Sequence, residues 1–348
     1  MIMKNARRSW SFLALAVLTL LASSCHKEDT TPVKDVYIAG TLISDPFSLT
    51  KIASYWKNGN IVKLSDGNFS ATANSIFVAG TDIYVAGTEN TSQQITVAKY
   101  WKNGVAVPLT DGKNDAAANS IFISGGDVYV AGVESGGAGN NVAKYWKNGN
   151  VVILGDVNNI SYANSIFVSG TDVFVAGAEV GADGATFIAK YWKNGVATPL
   201  SDGTQSALAY SIFVTGADIY VGGNETYDDV TKPAPVAKYW KNAVSIDITD
   251  GQNPAGVRSI FLSGEDVYAA GFEIDGTSRV AKYWKNGMPF PLSDGSADEI
   301  ATMIAFSGSD VYVNVTNASS SILYRNGKAT APFDGTNPMI QGNAIFIE

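Results

Sequence analysis

The chain has 348 residues, a formal net charge of −8, one cysteine and one histidine. With His26 as the only histidine, a histidine-based triad, a histidine acid–base pair and a His/Cys metal site are excluded. The acidic balance argues against a nucleic-acid partner, whose phosphates are neutralised by Lys and Arg.

The amino terminus reads as an export segment. Lys4, Arg7 and Arg8 form a positive region, Phe12 to Leu21 is apolar, and Ala22-Ser23-Ser24 are small residues at a cleavage point. The apolar run falls short of the roughly 20 residues that a membrane-spanning helix needs. Leu21-Ala22-Ser23-Ser24-Cys25 resembles the lipobox of bacterial lipoproteins, in which the cysteine is lipidated and becomes the first mature residue. The resemblance implies a signal peptide over 1–24, lipidation at Cys25 and a membrane partner held through the lipid. An ordinary secretory signal with a chance cysteine is the alternative, and it leaves a lone exported thiol unexplained.

Residues 25–34 then comprise the lipidated cysteine and a polar tether. Within it, Lys27-Glu28-Asp29 resembles the export signal of surface-exposed lipoproteins in the Bacteroidota, and Asp29-Thr30-Thr31 is similar to the O-glycosylation site of that group. This implies a cell-envelope protein anchored in the outer membrane and exposed at the surface, with a periplasmic orientation left open. Three charges also suit any solvated linker. Three of the 24 basic side chains lie in residues 1–24, so the mature chain has 21 against 32 acids, a net charge of −11. Such a balance suits a soluble surface.

From residue 35 the chain repeats itself. Tyr55-Trp56-Lys57-Asn58-Gly59 recurs at Tyr100, Tyr145, Tyr191, Tyr239 and Tyr283, and a worn copy stands at Leu323-Tyr324-Arg325-Asn326-Gly327. The tryptophans are 44 to 48 residues apart, with Tyr324 following after 40. Seven copies at this period mean a repeat architecture.

One unit predicts four short strands. Ala73 to Gly80 and Asp82 to Gly87 are β-branched and aromatic and read as a hairpin. A polar loop, Glu89 to Thr96, leads to a third strand, Val97 to Lys102. Asn103-Gly104, a strong hairpin signal, turns into a fourth strand, Val105 to Leu109. Pro108, Pro199, Pro291 and Pro332 share one position in the fourth strand, and proline belongs on an edge. The order therefore runs from an axis to a rim, and the fold class is all-β: a seven-bladed β-propeller of four-stranded blades over 35–348. Asp35 to Gly40 is a second strand with no first before it, and Asn343 to Ile347 is a first strand with nothing after it. Joined, they close the ring and remove its open edge. The pattern resembles seven-bladed propellers with Asp-Val-Tyr-Val-Ala-Gly repeats found in bacterial exported proteins; fold does not imply function.

The repeated side chains have structural explanations. The Tyr-Trp pairs could stack on a glycan, but their mid-strand position predicts core between blades. Glu89, Glu134, Glu179, Glu225 and Glu273 could ring a cation, yet Lys99, Lys144, Lys190, Lys238 and Lys282 occur in the same five blades, predicting cross-strand ion pairs. Asp66, Asp111, Asp156, Asp202, Asp250, Asp294 and Asp334 stand singly, not at the alternate positions of a calcium loop, and suit turns. No metal or cofactor is implied. The mature chain's three arginines, Arg258, Arg279 and Arg325, do not form the cluster of propeller sialidases, whose Asp-box is also missing.

Departures from the repeat point to a binding face. The residue before the first-strand serine is Asn74, Asn119 and Asn164, then Tyr210, Arg258 and Thr302, then Asn343. Beside Tyr210, the fifth blade has the longest charged loop, with Tyr227, Asp228, Asp229 and Lys232. Loops carry function on rigid scaffolds, so Tyr210, Tyr227, Asp228, Asp229, Arg258 and Thr302 are the candidate ligand-binding residues; neutral drift among degenerate repeats is the alternative. The expectation is a non-catalytic module for a protein or glycan. A carboxylate-dependent polysaccharide hydrolase or lyase and a structural envelope protein are the other readings.

Overall fold

Seven four-stranded antiparallel sheets form a ring in the computed structural model, which describes residues 34–43, 50–136, 139–227, 229–318, 320–330 and 340–348. The export segment, Cys25, the tether up to Val33, Asp228, Pro332 and Asp334 lie outside the described residues. Blade 2 shows the pattern with strands Ala71–Ala79, Asp82–Asn90, Thr96–Lys102 and Val105–Pro108, hydrogen-bonded in that order. Glu89 thus lies inside the second strand rather than after it. Blade 1 is made from both ends of the chain: Ile340–Ile347 is its innermost strand and pairs antiparallel with Val36–Ile43. The protein is a seven-bladed β-propeller closed by its terminal strands.

Local chemistry explains the units. Asn58 (φ 50°) and Gly59 (φ 86°) both sit in the left-handed region, as a two-residue hairpin turn requires. The same turn recurs in each blade; in blade 5 alone Ala243 (φ 65°) takes the glycine's place. The aspartates after the fourth strand fold their own connections. Asp66, Asp111, Asp156, Asp202, Asp250 and Asp294 each accept a hydrogen bond from the backbone N–H two residues on.

The core lies in the wedges between blades. Trp56, Trp101, Trp146, Trp192, Trp240 and Trp284 are fully buried, and each of Trp101, Trp146, Trp192 and Trp240 packs against the preceding blade. A buried Trp removes on the order of 200 Å² from water, about 5 kcal/mol of transfer free energy.

Two rings of ion pairs stand on opposite faces. On the face of the short turns, the Lys or Arg that follows the aromatic pair meets the Asp that opens the second strand: Lys57–Asp35, Lys102–Asp82, Lys147–Asp127, Lys193–Asp172, Lys241–Asp218, Lys285–Asp266 and Arg325–Asp310. On the loop face, the expected Glu–Lys pairs form in blades 2 to 6, half-buried in blades 2, 3, 4 and 6 and buried in blade 5.

Candidate functional site

The asparagines before the first-strand serine latch blade to blade. Each sits at a β-bulge in the innermost strand, which leaves its backbone unpaired and re-aims its side chain. Asn74, Asn119, Asn164 and Asn343 donate from Nδ2 to Ala118, Ala163, Ala209 and Ala73 O of the following blade at 2.8–3.0 Å. A second ladder lies one residue on. Ser75, Ser120, Ser165, Ser211 and Ser259 accept the backbone N–H of Ile121, Ile166, Ile212, Ile260 and Ile304 in the next blade at 3.0–3.2 Å.

The predicted sector is where the asparagine ladder fails. At Tyr210 and Arg258 the Asn-to-carbonyl link is replaced by a stack, with the Arg258 guanidinium 4.1 Å from the Tyr210 ring centroid. Arg258 also lies 5.4 Å from the Phe272 ring, and Arg279 stands 5.8 Å from the same ring. Such contacts contribute about 0.5–2 kcal/mol according to their exposure. Arg258 Nη1 is buried without a hydrogen-bond partner among the described residues. Arg279 and Arg325 are held by Asp298 and Asp310, whereas Arg258 has no acid partner among the described residues. Arg279 and Asp298, the latter pulled down to a pKa of about 2 chiefly by its hydrogen bond from Arg279, line a cleft of about 460 Å³ with Ile300, Thr316 and Asn317.

Thr302 behaves differently. It accepts from Asn314 Nδ2 at 2.9 Å, and Asn314 also donates to Gly342 O at 2.8 Å, restoring the lost latch between blades 7 and 1 from a neighbouring strand. Thr302 is therefore part of a link in the ring.

Tyr227 is drawn into a separate polar cluster. Lys238, fully buried, pairs with Glu225 and the Tyr227 hydroxyl, and reaches Ser245 Oγ at 3.0 Å and Asp247 at 3.2 Å. Lys232 Nζ meets Asp247 at 2.6 Å and lies 4.5 Å from the Tyr227 ring. Burial pulls the Lys238 pKa down, but the hydrogen bonds to Glu225 and Tyr227 and the nearby carboxylates outweigh it and hold the ammonium above the ordinary lysine value. Burial raises the Tyr227 phenol. Two carboxylates and two ammonium groups balance, so the cluster pins the long loop. Asp229 is exposed and caps a turn through Thr231 N–H. The sequence-predicted residues thus divide: Tyr210 and Arg258 meet, Tyr227 joins Lys238, and among the described residues no hydrogen bond, ion pair or ring contact links the two groups. Phe272, Arg279 and Asp298 were not anticipated; their signal is departure from the repeat, since Val133 and Ala178 stand where blade 6 has Phe272.

No protein-family model matches the chain, and no curated protein is similar to it. Among solved structures, a puromycin-hydrolyzing peptidase of Mycobacterium tuberculosis is similar at TM-score 0.57 and 10% identity over 85% of this chain. The chain spans about half that peptidase, 51% of its length. The β-propeller domain of the Trilobed protease from Pyrococcus furiosus, described as having an open velcro topology, is similar at TM-score 0.54 and 12% identity over 87% of this chain and 93% of that one. At such identities the likeness shows the fold alone, and it is the fold of a β-propeller.

Proposed function

We propose that this is a lipid-anchored cell-envelope propeller that binds a protein or glycan, without catalysis, on the loop face of blades 5 to 7. The observation that carries the reading is the run Tyr210–Arg258–Phe272–Arg279, which leads from a broken asparagine ladder to the cleft beside Asp298. Tyr and Arg dominate interface hot spots, and their flat faces suit both a sugar ring and a planar side chain. Carboxylate catalysis has less support. A general acid needs a raised pKa, whereas Asp247 and Asp298 in this region are held low by Lys and Arg partners, against the opposing effect of burial. The peptidase activity of the structural neighbours is not carried over.

The experiment is a binding screen of the purified protein against glycans and envelope proteins. With the partner found, Tyr210→Ala plus Arg258→Ala should cost about 2 kcal/mol, roughly thirtyfold in Kd. The same changes at Asn74 and Asn119 should leave Kd unchanged, with thermal melts showing that both variants fold. Equal losses would move the site elsewhere on the ring. For the anchor, Cys25→Ala should release the protein from membranes; retention in high salt would refute lipidation.

A further inference from the structure

The central channel has a wall the asparagine and serine ladders leave over. The triplet Ser-Ile-Phe recurs in the innermost strands, and its phenylalanines stand at one register position, Phe77 opposite Tyr84 and Phe346 opposite Tyr37. Phe346, Phe77, Phe122, Phe167, Phe213 and Phe261 touch in sequence around the axis at centroid distances of 4.8–5.2 Å. In blade 7 that position, opposite Tyr312, is Ala305. Phe306, one residue on, packs back on Phe261 and Tyr268, and among the described residues no ring contact joins blade 7 to Phe346. The girdle is therefore open at Ala305. It bounds a cavity of about 330 Å³ lined by the triplets with Met303 and Ala305.

We infer that this channel is a binding site for one unbranched aliphatic chain, the tail of a fatty acid or of a single-chain lipid, seated in the girdle with the Ala305 gap giving it width. Three observations select that class. Beside the serine ring the wall is mainly apolar, made of Phe and Ile side chains, and close to rotationally uniform, so it suits a ligand with few directional polar groups along its length. The five serine hydroxyls beside the rings accept the Ile N–H of the next blade and set a polar limit to the apolar zone. The volume is about eleven times the ~30 Å³ of a water molecule, room for a chain of about ten methylenes. A pocket of this size with an apolar wall and few polar groups is the usual form of a small-molecule site. The six rings are half-buried, keeping edge area open to an occupant. The inference is independent of the loop-face reading.

The test is calorimetric titration of the purified protein, below micelle-forming concentrations, with saturated acids of six to sixteen carbons and with lysophospholipids of matched tails. Affinity should rise on the order of fourfold per added methylene and level off near ten carbons. Binding of both series would place the headgroup outside the channel, and binding of the acids alone would make the free acid the ligand; either supports the site. Ala305→Phe puts into blade 7 what six blades already hold, so it should fold, close the gap and weaken binding at least tenfold; Ala305→Leu should lose less. Affinity that ignores chain length, or an Ala305→Phe protein that folds and binds as the wild type does, overturns the inference. So would capture of an apolar peptide in preference to every acid.

Discussion

Lys238 offers a quantitative test of how the fifth blade is held. Its counterparts Lys99, Lys144, Lys190 and Lys282 keep 15–19% of the side chain exposed, whereas Lys238 keeps none. Lys238→Met leaves the Glu225 carboxylate, 12% exposed, without its cation, while Asp247 retains Lys232. Removing one member of a buried pair costs about 3–5 kcal/mol, and one rather than two carboxylates is orphaned, so about 3 kcal/mol is expected. Lys99→Met in blade 2 lies between the exposed and buried limits and should cost about 1–2 kcal/mol. Urea denaturation at pH 7 reads both. Adding Glu225→Gln to Lys238→Met should recover part of the loss, because the unpaired charge is gone. Equal losses at Lys238 and Lys99, with no recovery from Glu225→Gln, would refute the cluster's role.

Deleting Asn343 to Glu348 removes most of the innermost strand of the closing blade and strips Val36 to Ala39 of their partners on that edge; cooperative loss of stability is expected, and an unchanged thermal midpoint would refute closure. Asp82, Asp127, Asp218 and Asp266 are held below the ordinary carboxylate pKa, chiefly by hydrogen bonds from their lysines. A depressed folded pKa gives stability that is present above the unfolded value of about 3.9 and lost as pH falls through the folded one. The thermal midpoint should therefore hold from pH 7 to about 4.5 and drop below about pH 4; a fall already under way between pH 6 and 5 would contradict this. Ser211→Ala, at an interface with no asparagine latch, should destabilise by about 1–3 kcal/mol, more than Ser75→Ala, whose interface keeps Asn74; equal effects would mean the two ladders do not share the load.

What the sequence made legible is what it writes locally. Asn-Gly at six of the seven hairpins, Asp-Gly after most fourth strands and proline at the rim specify turns and edges within a few residues. Seven copies multiply the signal, and the unmatched strands at the two ends predict the closure observed. The Glu–Lys pairs were readable because the two residues come and go together among the copies. The turn-face pairs, such as Asp82 with Lys102 and Asp127 with Lys147, are present in every blade, so no covariation among the copies marks them. What stayed hidden is the contact between blades. That Tyr210 breaks a series of asparagines is visible in the sequence, but the carbonyl those asparagines bond lies 44 or 45 residues away in another sheet, and no local pattern states that register. The tether on Tyr227 was hidden for a similar reason. Asp247 occupies the position that holds Pro108, Pro199 or Pro291 in other blades, and its effect is felt only once Lys238 points at it.

The distribution of the two ladders explains why the loop face of blades 5 and 6 could diverge. Interfaces 2–3, 3–4 and 4–5 carry both links. Interfaces 5–6 and 6–7 have lost the asparagine but keep Ser211 and Ser259. Interfaces 7–1 and 1–2 have Met303 and Ala344 where the serine would be, but keep a link from Asn314 and Asn343. Each of the seven interfaces therefore retains at least one. A hydrogen bond of this kind contributes about 1 kcal/mol, small beside the apolar burial in the wedges, tryptophan in most of them and Tyr283, Leu292 and Ile304 between blades 6 and 7, so one rung can be given up while the ring stays latched. The asparagine is the rung nearer the loops, and replacing it places a new side chain beside the loop-face residues proposed to meet a ligand. The serine lies deeper, beside the channel girdle. Loss of the asparagine thus opens the loop face to Tyr210 and Arg258, while loss of the serine in blade 7 accompanies the Met303 and Ala305 gap in the channel wall. The same redundancy that stabilises the ring permits change at two places: the loop face of blades 5 to 7 and the open side of the phenylalanine girdle.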